Sequence, residues 1–167
     1  MSNSKWTAVF VVLVLAKSIE CGWADPPLPA SPVQTPINQQ ATADAWAAFR
    51  AGEHEIAITK ANECIDRFQS AADGIQAILE GKNAALPTGM PSIADRQKIG
   101  QYQILHDVAT CLLIRAWAEE KRGKTNEAIK AYAKVKKYSF ARTSEKAGEP
   151  LWSPAELAAQ QLRRLSP

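Results

Sequence analysis

The chain carries the same punctuation twice: Gly52-Glu53-His54-Glu55-Ile56-Ala57-Ile58 and Gly123-Lys124-Thr125-Asn126-Glu127-Ala128-Ile129. In each, a stretch rich in Ala and aromatic residues precedes the glycine, and an amphipathic stretch follows the alanine. Glycine ends a helix readily because it enters the left-handed conformation of a C-terminal cap without a steric penalty. The pattern predicts a helix–turn–helix unit that occurs twice. Repeated units of this kind usually present a surface rather than perform chemistry.

The intervening sequence supports long helices. Glu53 to Glu80 contains no proline, and Ala57, Ala61, Ile65, Phe68, Ala72, Ile75 and Leu79 recur at spacings of three and four. That spacing keeps them on one helical face. Such a helix would be ~40 Å long, with Gly74 as a weak point near its middle. A shorter helix is expected before it, from about Thr42 to Ala51, with Trp46 and Phe49 as its bulk. Gly81 to Pro91 reads as a turn, because Pro87, Gly89 and Pro91 all oppose helix.

Ser92 with Asp95 three residues on is an N-terminal capping arrangement. The apolar positions Ile99, Leu105, Val108, Leu112 and Ala116 then carry the helix toward Gly123, with Gly100 its one weak point. Two elongated central helices in an antiparallel hairpin are therefore predicted. A fourth helix is expected from about Asn126 to Tyr138, with Ala128, Ala131, Tyr132 and Val135 facing inward. After a polar connection from Ser139 to Leu151, Ser153-Pro154-Ala155-Glu156 places each residue type where a helix start favours it. The last helix, to about Leu165, would bury Leu157, Ala158, Leu162 and Leu165 and cap the fourth. No strand pattern of useful length occurs. The fold class is all-α.

The two glycine-to-alanine segments resemble tetratricopeptide repeats, the second more fully: Leu112 and Ala116, then Gly123, Ala128, Tyr132 and Val135. The first matches at Ala45, Ala48, Gly52, Ala57 and Cys64, with Ala61 where the family prefers an aromatic residue. Tandem repeats of that family have a period of about 34 residues, whereas Gly52 and Gly123 lie 71 apart. The resemblance implies antiparallel helical hairpins, joined here through elongated inner helices and closed by a C-terminal capping helix. It also implies the binding of a protein or peptide.

The N-terminus reads as an export signal. Lys5 supplies a positive charge, Trp6 to Ala16 an apolar run of eleven residues, and Gly22-Trp23-Ala24 a cleavage site before Asp25. Lys17 stops the run short of the ~20 residues that a membrane span needs. Residues 1–24 are thus expected to be a signal peptide, which would place the mature chain in the periplasm or outside the cell without a stable span. Residues 25–41, with Pro26, Pro27, Pro29, Pro32 and Pro36, read as a disordered spacer. Residues 42–167 read as the helical domain. With 20 basic and 17 acidic residues, a net charge of +3, the chain lacks the concentrated positive face of a nucleic-acid binder.

Catalytic motifs are missing from the sequence. His54 and His106 belong to no zinc spacing, and there is neither a phosphate-binding glycine loop nor a Gly-x-Ser-x-Gly elbow. No catalytic, metal or cofactor residue is assigned. Cys64 and Cys111 stand at nearly matching distances from a hairpin turn near residue 86. Both a disulfide and two buried thiols fit that placement. Trp46, Phe49, Tyr102 and Trp117 are candidate partner contacts and equally candidate core. The leading expectation is an exported protein-binding or scaffold domain with no catalytic activity of its own. An enzyme or accessory domain acting on cell-envelope material, and a structural spacer, are the alternatives.

Overall fold

A computed structural model describes residues 35–144 and 149–165, and within these the chain forms six α-helices and no strand. The expected signal peptide, most of the expected spacer, and Cys21 lie outside the described residues. The helices are α1 (Ile37–Arg50), α2 (His54–Gly81), α3 (Ile93–Gly100), α4 (Gln103–Lys121), α5 (Thr125–Val135) and α6 (Pro154–Leu165). No helix among the described residues is long and apolar enough to cross a membrane.

The two glycine turns have the same geometry. Gly52 (φ +78°) and Gly123 (φ +73°) both take the left-handed conformation. After the first, Glu53 N–H donates to Ala48 O (3.0 Å) and Gly52 N–H to Phe49 O (3.1 Å). After the second, Lys124 N–H donates to Glu119 O (2.9 Å) and Gly123 N–H to Glu120 O (2.9 Å). This is the Schellman pairing, which satisfies carbonyls that the last helical turn would otherwise leave open. The following residues match as well: Glu53 at φ −83°, ψ 64° and Lys124 at φ −86°, ψ 62°. Arg122 joins the two turns by pairing with Glu55 (2.6 Å) and with Glu119 (3.3 Å). Glu55 is largely exposed, so the pair adds little stability. It does show that both turns lie at the same end of the bundle.

α4 is the axis of the domain. It packs against α1, α2, α5 and α6, and α6 rests mainly on α5. Almost every residue from Leu105 to Ala118 is buried, Arg115 and Trp117 only in part. A helix apolar nearly all round belongs at the centre of a core. Ala57, Ala61, Ala128 and Ala131 are fully buried, as expected for small side chains at helix contacts. Tyr132 is buried too, and its hydroxyl donates to Glu120 Oε2 (2.8 Å).

Two expectations are corrected. The first helix begins at Ile37, not Thr42, so the last residues of the expected spacer are helical. Residues 37–41 are compatible with helix, and tertiary contacts hold them there. Asn38 Nδ2 donates to Asp107 of α4, and Thr42 Oγ1 donates to Asn38 O (2.9 Å). Secondly, there is one elongated central helix rather than two, because the second run breaks after Gly100. At the break, Tyr102 N–H (2.8 Å) and the His106 ring (3.1 Å) both engage Ile99 O, which in a continuous helix would accept from Gln103. The Ser92–Asp95 capping box is present at the start of α3, and Ser153 Oγ accepts from Glu156 N–H at the start of α6 (3.3 Å).

The connection after α5 is tied down by backbone pairing. Gly89 and Leu151 exchange two bonds (2.9 and 2.7 Å), and Thr143 and Trp152 exchange two more (3.0 and 2.9 Å). These isolated bridges tie Leu151 to the turn at Gly89 and Thr143 to Trp152.

Candidate functional site

A cleft of about 500 Å³ opens where α1, the α3–α4 break, residues 142–144 and residues 149–151 meet. Its inner wall is the first turns of α4, its outer wall is Gln39, Thr42 and Trp46 of α1, and Arg96 and Glu149 stand among the remaining lining residues.

Asp107 is the dominant group. The residue is only 5 % exposed, yet it lines the cleft. Its carboxylate accepts from Asn38 Nδ2 and from Gln103 Nε2 (2.9 Å), and no Lys, Arg or His among the described residues forms an ion pair with it. Burial pushes its carboxyl pKa up, and the Gln103 and Asn38 bonds oppose that shift. A buried carboxylate held by two amides keeps lone pairs for a further donor. Asp107 is thus an acidic group without an ion-pair partner among the described residues, on a cleft that Arg96 and Arg142 also line.

His106 has a different role. Its Nδ1 accepts from the Arg142 amide (3.1 Å), so Nε2 carries the proton and donates to Ile99 O. Burial, with the Arg142 charge as a lesser cause, lowers its pKa to about 4, although the bond to Ile99 opposes the shift. Both nitrogens are committed to backbone groups. The ring is a strut.

Arg142 is also committed. Its guanidinium donates to the carbonyls of Pro87 (3.2 Å), Leu86 (3.4 Å), Ser139 (3.0 Å) and Ala141 (2.8 Å). It thereby fastens the Leu86–Pro87 turn to the segment after α5. No group of three or more His, Cys, Asp or Glu side chains able to hold a metal ion occurs among the described residues.

The structure gathers three of the four candidate contact aromatics. Trp46 lies 5.6 Å from Trp117 and 6.1 Å from Phe49, and Phe49 stacks on Trp117 at 5.8 Å. All three are half-buried against the core, and the Arg50 guanidinium covers the Trp46 ring at 5.0 Å. Tyr102 stands apart as the residue before α4 and joins no ring pair among the described residues. Trp46 alone belongs both to this group and to the cleft. Gly52, Ala57, Gly123, Ala128 and Tyr132 occupy turn and packing positions. Cys64 and Cys111 are adjacent buried thiols behind Thr42.

Sequence reasoning missed Asn38, Gln103, Asp107 and Arg142. One signal was available: Asp107 is the one acidic residue in the mostly apolar run from Ile104 to Ile114, at a position that a helix must bury. Its partner Asn38 falls within the proline-rich stretch that the sequence reads as spacer, so periodicity gives no hint of the pairing.

No family model matches the sequence, and neither a curated protein nor a solved structure matches it.

Proposed function

We propose that this chain is exported and holds another protein or peptide, with the cleft beside Trp46 and Asp107 as its contact surface. The observation that carries the reading is the buried, under-neutralised Asp107 carboxylate on the wall of an open cleft that a large aromatic side chain also lines. Recognition surfaces combine such a polar anchor with half-buried aromatic area. The paired hairpins support the same reading. Their turns coincide in geometry, α4 packs against both helices of the first pair, and α6 closes the second. That sequence of neighbours is similar to stacked tetratricopeptide units, whose family role is protein binding. The lysine and apolar run at the N-terminus support export, with cleavage after Ala24 and a periplasmic or secreted location.

Two measurements test this. Intact mass of the chain recovered from the producing cell should correspond to a start at Asp25, and retention of Met1–Ala24 would overturn the export. Affinity capture from the envelope fraction should return a companion whose yield falls at least tenfold with Arg96→Glu, about 1.4 kcal/mol of binding. The Arg96 side chain is exposed and makes no hydrogen bond or ion pair among the described residues, so the variant leaves the fold intact. Equal capture by both proteins, or no companion at all, would favour a spacer instead.

A further inference from the structure

Behind the cleft, three small polar groups meet in the otherwise apolar core. Thr42 Oγ1 of α1 lies 3.4 Å from Cys111 Sγ of α4 and 3.8 Å from Cys64 Sγ of α2. Both sulfurs thus lie against the same hydroxyl oxygen. Both cysteines have no exposed surface. The single proton of Thr42 goes to Asn38 O (2.9 Å), so toward the sulfurs the hydroxyl acts as an acceptor. Two cysteines serving only as small apolar residues would need neither each other nor a hydroxyl; here α1 places one over the pair.

We infer that Cys64 and Cys111 are a covalent cross-linking site, joined as a disulfide that staples α2 to α4 when the protein meets a small-molecule disulfide. The inference stands apart from the partner-holding reading and does not depend on it. The two sulfurs are chemically unequal. Their proximity eases ionisation of Cys64 and, with burial, holds Cys111 protonated. Cys64 attacks first. Its thiolate displaces one thiolate from the reagent and forms a mixed disulfide. Cys111, losing its proton, then attacks the Cys64 sulfur and displaces the second. Across both steps two protein thiols are oxidised by two electrons, one reagent disulfide is reduced, and the two protons end on the two released thiols. Full burial means the exchange waits for α1, with Thr42, to lift from the pair, a local opening rather than global unfolding.

The cross-link ties the first hairpin to the central helix, across a closed loop of nearly fifty residues. A loop of that size constrains the unfolded chain strongly enough to raise Tm by on the order of 10 °C. The site is tested on the full chain equilibrated with glutathione held mainly as its disulfide, then denatured without reductant and alkylated. The expected result is that Cys64 and Cys111 escape alkylation and appear as one linked peptide pair, and that reductant lowers Tm by that amount. Cys64→Ala and Cys111→Ala should each abolish the reductant dependence. Wild-type protein needs no variant to fail the test. Alkylation of both residues, a link from either to Cys21, or an unchanged Tm on reduction would overturn the inference.

Discussion

α2 and the α3–α4 run are nearly equal in length, and each contains a glycine in its interior, yet one stays whole and the other breaks. Gly74 lies inside α2, and the helix passes through it without interruption. Gly100 ends α3, and α4 starts at Gln103. A β-carbon added at either position would meet nothing within 4 Å, so crowding does not distinguish them. The neighbours do. On both sides of Gly74, buried residues such as Ala72, Gln76 and Leu79 hold the helix, and Gln76 also reaches Ser139 (3.0 Å). Before Gly100, α3 buries only Ile99. After it, His106 captures the Ile99 carbonyl and the Arg142 amide together. A weak residue breaks a helix only where tertiary partners reward the break.

The largest test removes that reward. His106→Ala leaves the Ile99 carbonyl and the Arg142 amide without their buried partner, and should destabilise the fold by roughly 3 kcal/mol. Urea unfolding measures it. A loss below about 1 kcal/mol would show that His106 does not hold the break.

Acid probes the same strut without a mutation. The folded pKa of His106, about 4, lies below its ordinary 6.5. Between those values the unfolded chain binds the extra proton, so this contribution is complete above pH 6.5 and is lost as pH falls toward 4. The full difference is about 3 kcal/mol. Asp107 acts in the opposite sense: its raised pKa makes protonation favour the folded state as pH falls through that pKa, which blunts the loss. Wild-type unfolding at pH 7 and pH 4.5 should show the decline, and His106→Ala should remove most of it.

The glycine turns bounding the two regions should behave alike. Gly52→Ala and Gly123→Ala meet no atom within 4 Å, so each loses only the ease of a positive φ, about 1 kcal/mol. Equal losses confine the contrast to the interiors. A twofold difference would mean that the turns are not the same device.

The smallest effect is the sharpest discriminator. Gly74→Ala should stabilise the protein by about 1 kcal/mol, as alanine does inside a helix. Gly100→Ala, at a helix end, should add no more than about 0.5 kcal/mol. If Gly100→Ala matched Gly74→Ala in thermal unfolding, the break would follow from glycine alone.

What could be read from the sequence was local. Helical periodicity, the left-handed glycines at 52 and 123, the Ser92–Asp95 box and the Ser153-Pro154 helix start depend on residues within a turn or two of one another. Backbone hydrogen bonding and steric preference act at that range. The all-α class and the burial of Ala57, Ala128 and Tyr132 followed from them.

The early start of α1, the break after Gly100, the cleft and the thiol pair depend on contacts between residues far apart in sequence. Asn38 and Thr42 are 69 residues from Asp107 and Cys111 respectively, and His106 is 36 from Arg142. Periodicity cannot say which distant carbonyl, carboxylate or sulfur a side chain will meet. Desolvation and packing decide that only when the helices assemble.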